Sequence, residues 1–490
     1  MLLGYDLGSS SIKATLIRAS TGEILGSATY PKQEMPMVSK KPGWAEQKPE
    51  DWWTNIKNAT RELLLKTRAP KEAIKAIGIA YQMHGLVLID KDQNVLRPSI
   101  IWCDSRAVEI GKKAFHELGR EFCLKNYLNS PGNFTASKLK WVKDNEPEIY
   151  DRVYKAMLPG DYVAMKMSGE INTTISGLSE GILWDFKSKS EAKKLLDYYG
   201  IDENIIPEVI DTFSIQGQLS SVAASELGLR EGTKIAYRAG DQPNNAFSLN
   251  VLDTGEIAAT AGTSGVVYGI IESPRYDPLS RVNTFVHVNY QKKKERYGVL
   301  LCVNGTGILN SWLQRNIVDG TSYKDMNEMA MEAPIGADGL SFIPFGNGAE
   351  RILENNDIGA RLSGLNFNRH NQSHILRAGQ EGIVFAMNYG LNIMNEMGME
   401  LKTVRAGHAN MFLSPLFREA FANITSTTVE LYNTDGAQGA ARGAGVGAKV
   451  YANYEEAFRG LKSIETTEPS PPLFGAYEDA YENWLRNLNN

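Results

Sequence analysis

The apolar and polar positions of this chain alternate between strand-like runs and amphipathic stretches of helical spacing. The opening segment, MLLGYDLGSSSIKATLIRASTGEILGSATY, predicts a buried strand over Met1 to Leu7 and a second over Ile12 to Arg18. Thr21-Gly22 predicts a hairpin turn, and Glu23 to Tyr30 a third strand. A polar loop leads to Pro49, which opens a helix carrying Trp52, Ile56, Leu63 and Leu64 near one face. Ile74 to Ala80 reads as buried strand, the YQMHG segment interrupts it, and Leu86 to Ile89 resumes. PSIIWCDSRA reads as an extended run followed by a helix from Asp104 to about Leu118. Ile235 to Arg238 predicts a strand ending in Ala239-Gly240-Asp241-Gln242, with an Asn- and Ala-rich helix close behind. GEIAATAGTSGVVYGI then repeats the strand, turn, strand pattern of the amino terminus. The interleaving predicts an α/β protein.

Composition changes this picture mainly by exclusion. A length of 490 residues suits two large domains as well as roughly three average ones. A net charge of −5 leaves no electrostatic footprint for nucleic acid or an anionic membrane, and no apolar run is long enough to span a bilayer. The three cysteines, Cys103, Cys123 and Cys302, lie far apart without CxxC spacing, so reduced thiols are expected. With no signal-peptide pattern at the start, a cytoplasmic setting is the expectation. The six histidines include no HExxH pair, which removes the case for zinc.

The first turn carries chemistry. Gly8 lets backbone approach a ligand, Ser9, Ser10 and Ser11 offer hydroxyl and N–H donors to phosphate oxygens, and Lys13 adds a positive charge. Asp6 ends the first strand beside this cradle, where a hard carboxylate can hold phosphate-bound Mg²⁺. A plain hairpin with Asp6 capping the turn is the simpler alternative. His84 falls at a strand connection and Trp102 and Asp104 at the end of an extended run, an aromatic face with polar groups suited to a polyol. Asp104 also reads as a helix cap. Asp241 sits at a strand end in a glycine-flanked loop, with an N-cap role as its alternative. Aligning Gly262-Thr263-Ser264 with Gly8-Ser9-Ser10 gives a weak internal repeat, with Thr260 where the first copy has Asp6. Two such hairpins suggest duplicated domains, each pointing a donor-rich turn into a shared cleft. No GxxxxGK[ST] occurs, and GAARGAGVGAKV (439–450) lacks a preceding strand, so its small residues predict close helix packing.

Across Gly4 to about Lys449 the chain resembles the carbohydrate kinases of the glycerol kinase/xylulokinase (FGGY) family. The resemblance is carried by GYDLGSSSIK, GWAEQKPEDWW, QMHGLVLID, IIWCDSR, NFTASKLKWVKDNEP, PGDY, GDQ, GTSGVV, NGTGILNSW and IPFGNGAER. Met83-His84 is similar to the xylulokinase substrate loop, where glycerol kinases have an Arg-Glu pair. The resemblance implies two ribonuclease-H-like domains of actin/sugar kinase type with an interdomain cleft: a sugar-binding domain over 1–250, a nucleotide-binding domain over 251–450, and a helical extension over 451–490. It implies ATP as co-substrate with Mg²⁺, Asp241 as general base, and Asp6 and Asp241 positioning the metal. Gly8, Ser9, Ser10, Lys13, Gly262, Thr263, Ser264 and Gly407 would meet the nucleotide. Met83, His84, Trp102, Asp104 and Gln242 would meet the sugar. The expected reaction is phosphorylation of D-xylulose to D-xylulose 5-phosphate. Another sugar or polyol kinase, or a non-catalytic actin-like ATP-binding module, is the alternative. Oligomeric state stays open, with a homodimer as one expectation. Three segments depart from the pattern: Asp241-Gln242 where xylulokinases commonly have Asp-Asn, a lengthened loop after Gly407 carrying His408, and TTISGLSEGILWDF.

Overall fold

The opening pattern folds as a three-stranded meander in the computed structural model, which describes residues 1–489. Strands of the two main sheets are numbered β1–β10 in chain order. β1 (Leu2–Leu7), β2 (Ile12–Ile17) and β3 (Ile24–Tyr30) are joined by β4 (Ala76–Tyr81) and β5 (Lys234–Gly240). Their order is β3-β2-β1-β4-β5, with the two-residue strand Gly217–Gln218 at the far edge. β1 runs antiparallel to β2 and parallel to β4, and β5 runs parallel to β4. One face of this sheet is covered by helix α1 (Pro49–Thr67), whose Trp52, Ile56 and Leu63 join Leu3, Tyr5 and Leu7 in one apolar cluster.

The second sheet repeats the order. β6 (Glu256–Ala261), β7 (Gly265–Ile271), β8 (Tyr297–Val303), β9 (Thr403–Gly407) and β10 (Thr428–Tyr432) lie as β8-β7-β6-β9-β10, extended by Asn283–Val286 on one edge and Ser463–Thr467 on the other. β6 is antiparallel to β7 and parallel to β9, as β1 is to β2 and β4. The short Gly-Ser-Ser and Gly-Thr-Ser echo in the sequence thus marks the same hairpin in two sheets of matching topology.

Contacts divide the chain discontinuously. The first unit comprises Met1–Asn250, Phe285–Tyr297 and Thr434–Leu461, and the second comprises Val251–Thr284, Gly298–Asn433 and residues 462–489. This differs from the expected boundary at 450. The reason is helix α4 (Gly436–Gly447), which packs on β1, β4 and β5. Its small residues permit backbone-to-backbone approach: a Cβ on Gly4 or Gly78 would overlap the Ala437 or Ala440 carbonyl, and one on Gly443 would enter the Tyr237 ring. Close helix packing, the reading of 439–450, is what these glycines provide, but the expected lack of a preceding strand does not hold, since β10 ends at Tyr432, just ahead of the helix. The terminal segment does form a helix, Phe474–Asn489, but it docks on the second unit through buried Trp484, whose indole N–H donates to the Phe342 carbonyl at 3.0 Å. Among the described residues no helix is long and apolar enough to cross a membrane.

Candidate active site

Gly8 to Ser11 connect β1 to β2, and the connection is braced from within. Met35 N–H donates to the Ser10 carbonyl at 2.8 Å. Gln47 Nε2 donates to the Ser9 carbonyl at 2.6 Å, while its Oε1 accepts from Trp52 Nε1 and Gln82 Nε2, both at 3.1 Å. A trans peptide sets each N–H opposite the carbonyl before it, so anchored carbonyls at Ser9 and Ser10 turn the N–H groups of Ser10 and Ser11 the other way. Two adjacent N–H donors turned to one side are what an anion needs from a backbone turn. Trp102, half exposed, brings its indole N–H to 3.4 Å from Ser9 Oγ.

Asp6 lies opposite Lys13 in the β1–β2 register. Its carboxylate sits so close to Gly436 that a Cβ there would overlap Oδ2. Gly436 is the first residue of α4, whose dipole favours an anion at this end. Asp435 caps the same helix, accepting the Gln438 N–H at 2.9 Å and Lys13 Nζ at 2.6 Å. Lys13 is therefore matched by Asp435, an acidic neighbour that the sequence reading did not single out. Its signal was Asp435-Gly436 ahead of a small-residue run.

Asp241 starts helix α2 (Asp241–Ser248) directly after β5. The helix-cap alternative does not hold as written, because the cap position is Gly240 and Asp241 is already the first helical residue. Removal from water and then the negative charge of Asp6 push the Asp241 carboxyl up to about 7, with hydrogen bonds from Gln242 pulling the other way. Asp6 is pushed up to about 6 by removal from water and by Asp435, against Lys13. Hard oxygen donors that repel one another fit a divalent cation. No group of three His, Cys, Asp or Glu among the described residues is placed to hold one ion. Mg²⁺, which keeps several waters and takes one or two carboxylates plus phosphate, needs no such group.

The candidate sugar side is built around His84. Its backbone is in the left-handed region at φ 61°, an uncommon state for a side chain of this size. The Glu180 carbonyl lies 2.9 Å from Nδ1, and since a carbonyl only accepts, Nδ1 carries the proton. The ring packs edge-on against Phe134 at 4.8 Å. From below, Lys138 Nζ donates to the carbonyls of His84 at 2.9 Å and Ile101 at 3.0 Å. Met83 is buried against Gly240, next to Asp241. Asp104 corrects an expectation. It is fully buried, its oxygens accept from the Arg106 guanidinium at 2.7–2.9 Å and from the Ala45 N–H at 2.6 Å, and Arg106 also pairs with Glu46 at 2.8 Å. It serves as a structural anchor, with no oxygen exposed to a sugar. Nor does it start a helix, which begins at Val108.

In the second unit, Gly262 to Ser264 join β6 to β7, and helix α3 (Gly307–Ile317) begins against them. Gly307 N–H donates to the Gly262 carbonyl at 2.9 Å and Ile308 N–H to that of Thr263 at 3.3 Å. Gly262, Thr263, Gly307 and Ile308 open onto a cavity of about 890 Å³ whose walls include Tyr323, Asn327, Met331, Asn410 and Leu413. An apolar and amide-lined space of that size beside a donor-rich turn suits a nucleoside attached to phosphates. Gly407 ends β9, and it is the following segment, Asn410–Pro415, that lines the cavity.

The chain has counterparts among known proteins. The FGGY family of carbohydrate kinases matches with its N-terminal domain over residues 1–248 and its C-terminal domain over 257–450. A xylulose kinase of Bacillus subtilis is 29% identical, covering 100% of this chain and 98% of the relative, and one of Escherichia coli is 28% identical over 99% and 98%. The crystal structure of a xyloylose kinase from Brucella ovis superposes with a TM-score of 0.89 at 26% identity, covering 99% of this chain and 98% of that one. With both halves matched in order, and with an acidic hairpin in one unit and a nucleotide-sized cavity in the other, this chain belongs to the FGGY family of carbohydrate kinases.

Proposed function

We propose that the chain transfers the γ-phosphoryl group of ATP to the terminal hydroxyl of D-xylulose, giving D-xylulose 5-phosphate and ADP. The observation that carries the choice of sugar is Met83-His84: the His84 ring is oriented by the Glu180 carbonyl at Nδ1, its backbone carbonyl is held by Lys138, and Met83 packs on Gly240 ahead of Asp241. Relatives at 26–29% identity that are named xylulose kinases support the same choice.

Asp241 acts as the general base. The sugar hydroxyl oxygen forms a bond to the γ-phosphorus, the bond from that phosphorus to the bridging oxygen breaks, ADP leaves, and the hydroxyl proton passes to the Asp241 carboxylate. A loose phosphoryl-transfer transition state asks mainly for positioning, with proton removal late. His84 orients the acceptor through its ring, which the Glu180 carbonyl fixes at Nδ1. Ser10 and Ser11 in the first unit and Thr263 and Ser264 in the second supply N–H donors for phosphate oxygens. Bound with the nucleotide, Mg²⁺ would be held by Asp6 and Asp241 and would draw charge from the β- and γ-phosphates.

The test is ADP release measured with a panel of pentuloses, hexuloses, gluconate and glycerol. D-xylulose should give the highest kcat/KM. A higher value with another acceptor moves the assignment within the family, and no acceptor-dependent release with any sugar overturns the kinase reading.

A further inference from the structure

Glu350, in the second unit, is fully buried and has no part in the chemistry above. Both its carboxylate oxygens accept from the Asn304 backbone N–H, at 3.0 and 3.1 Å, and the Gly305 N–H also faces it. A buried carboxylate is costly unless hydrogen-bonded, and this one is held by backbone donors of a single loop. Glu350 is itself clamped: its N–H donates to the Asn356 carbonyl at 3.1 Å, and its carbonyl accepts from Asn355 at 2.9 Å and Leu353 at 3.1 Å.

The loop it grips, Asn304 to Thr306, leads into α3, whose first two N–H groups hold the carbonyls of Gly262 and Thr263. The fit is tight. A Cβ on Gly307 would overlap the Gly262 carbonyl, and one on Gly305 the Pro344 carbonyl. With the Gly262 and Thr263 carbonyls fixed toward α3, planarity turns the N–H groups of Thr263 and Ser264 to the opposite side as a pair of donors.

We propose that Glu350 is the positioning residue of the nucleotide-phosphate turn: through Asn304–Gly305 and the start of α3 it sets the peptide planes of Gly262–Ser264 that receive phosphate oxygens. This rests on the reading that the 262–264 turn binds the nucleotide.

The experiment measures ADP and D-xylulose binding to the full chain by calorimetry, with KM for ATP and for sugar, in wild type, Glu350→Gln, Glu350→Ala and Gly262→Ala. Gly262→Ala tests the underlying reading alone, since the added Cβ meets only the Asn410 side chain at an ordinary 3.5 Å and Gly262 is not in a left-handed conformation. It should fold normally and bind ADP at least about tenfold more weakly, as a methyl group intrudes on the phosphate. Glu350→Gln, which keeps one acceptor oxygen, should weaken ADP about 5-fold, and Glu350→Ala roughly 10- to 150-fold, the range for losing bonds to a charged group. KM for ATP should rise in parallel while D-xylulose affinity stays at the wild-type value. Should Glu350→Ala fail to fold, the Gln variant carries the test. ADP affinity within about twofold of wild type in Glu350→Gln, or an equal loss of sugar affinity, overturns the assignment while Gly262→Ala still weakens ADP. If Gly262→Ala leaves ADP binding unchanged, the phosphate-turn reading falls and this inference with it.

Discussion

Replacing Lys138 by Met tests how the sugar loop is held. Lys138 lies in the helix Thr135–Asn145 with no exposed surface, and its ammonium bridges the His84 and Ile101 carbonyls. Burial pulls its pKa from 10.5 down to about 7, although the charge of Asp104 works against the fall. Because the folded value is the lower one, between pH 7 and 10.5 the unfolded chain binds a proton that the folded chain lacks, so this group's contribution to stability rises with pH across that window. At about 1.4 kcal/mol per pH unit the whole window is worth about 5 kcal/mol, and the part from pH 7 to 9 about 2 kcal/mol. Methionine has no such proton. Urea unfolding at pH 7 and pH 9 should therefore show the wild type gaining about 2 kcal/mol on Lys138→Met as pH rises, with the other titrating groups cancelling in the difference. The variant should also raise KM for sugar and leave KM for ATP unchanged, because the His84 carbonyl loses its donor. A difference between the two proteins that stays constant within about 0.5 kcal/mol from pH 7 to 9 would mean that Lys138 keeps its proton in the folded chain.

Two further outcomes follow from the same geometry. His84→Ala should lower kcat/KM for D-xylulose roughly 5- to 150-fold, the effect of leaving a polar partner unpaired, and an unchanged value would reduce His84 to a packing residue. Asp6→Asn should lower turnover at saturating sugar and shift the magnesium dependence to higher concentration, since a charge that complements the cation is lost. A folded variant with wild-type magnesium dependence would remove Asp6 from the phosphate site.

Local chemistry was legible in the sequence where local pattern decides the outcome. The β1–β2 hairpin, the helix opened by Pro49, and the strand end carrying Asp241 all lie where alternation and turn residues place them. The packing role of the Gly-rich stretch 439–450 was legible although the strand before it, β10, was not, and nothing local says which surface the helix covers; its packing on β1 makes the first unit discontinuous. That long-range step brings Asp435 to Lys13 across 422 residues of sequence, so the acidic cluster around Asp6 could not be assembled from spacing. Asp104 failed for a related reason: Arg106 is a local partner, but Ala45, and the Glu46 that also pairs with Arg106, close on the pair only when the loop before α1 folds back. Glu350 gave no signal, since a glutamate in a polar loop reads as solvated until the Asn304 backbone is seen against it.

In the proposed reaction Asp241 is the base that takes the sugar hydroxyl proton. Steady-state turnover of Asp241→Asn measures it most directly, with calorimetry of D-xylulose as companion. A positioned base contributes about 10²–10⁴-fold, so kcat should fall at least about a hundredfold in this nearly isosteric variant. Sugar affinity should shift by only about 1 kcal/mol, one hydrogen bond, because the amide still reaches the hydroxyl. A correctly folded Asp241→Asn enzyme with kcat within about threefold of wild type would contradict the account.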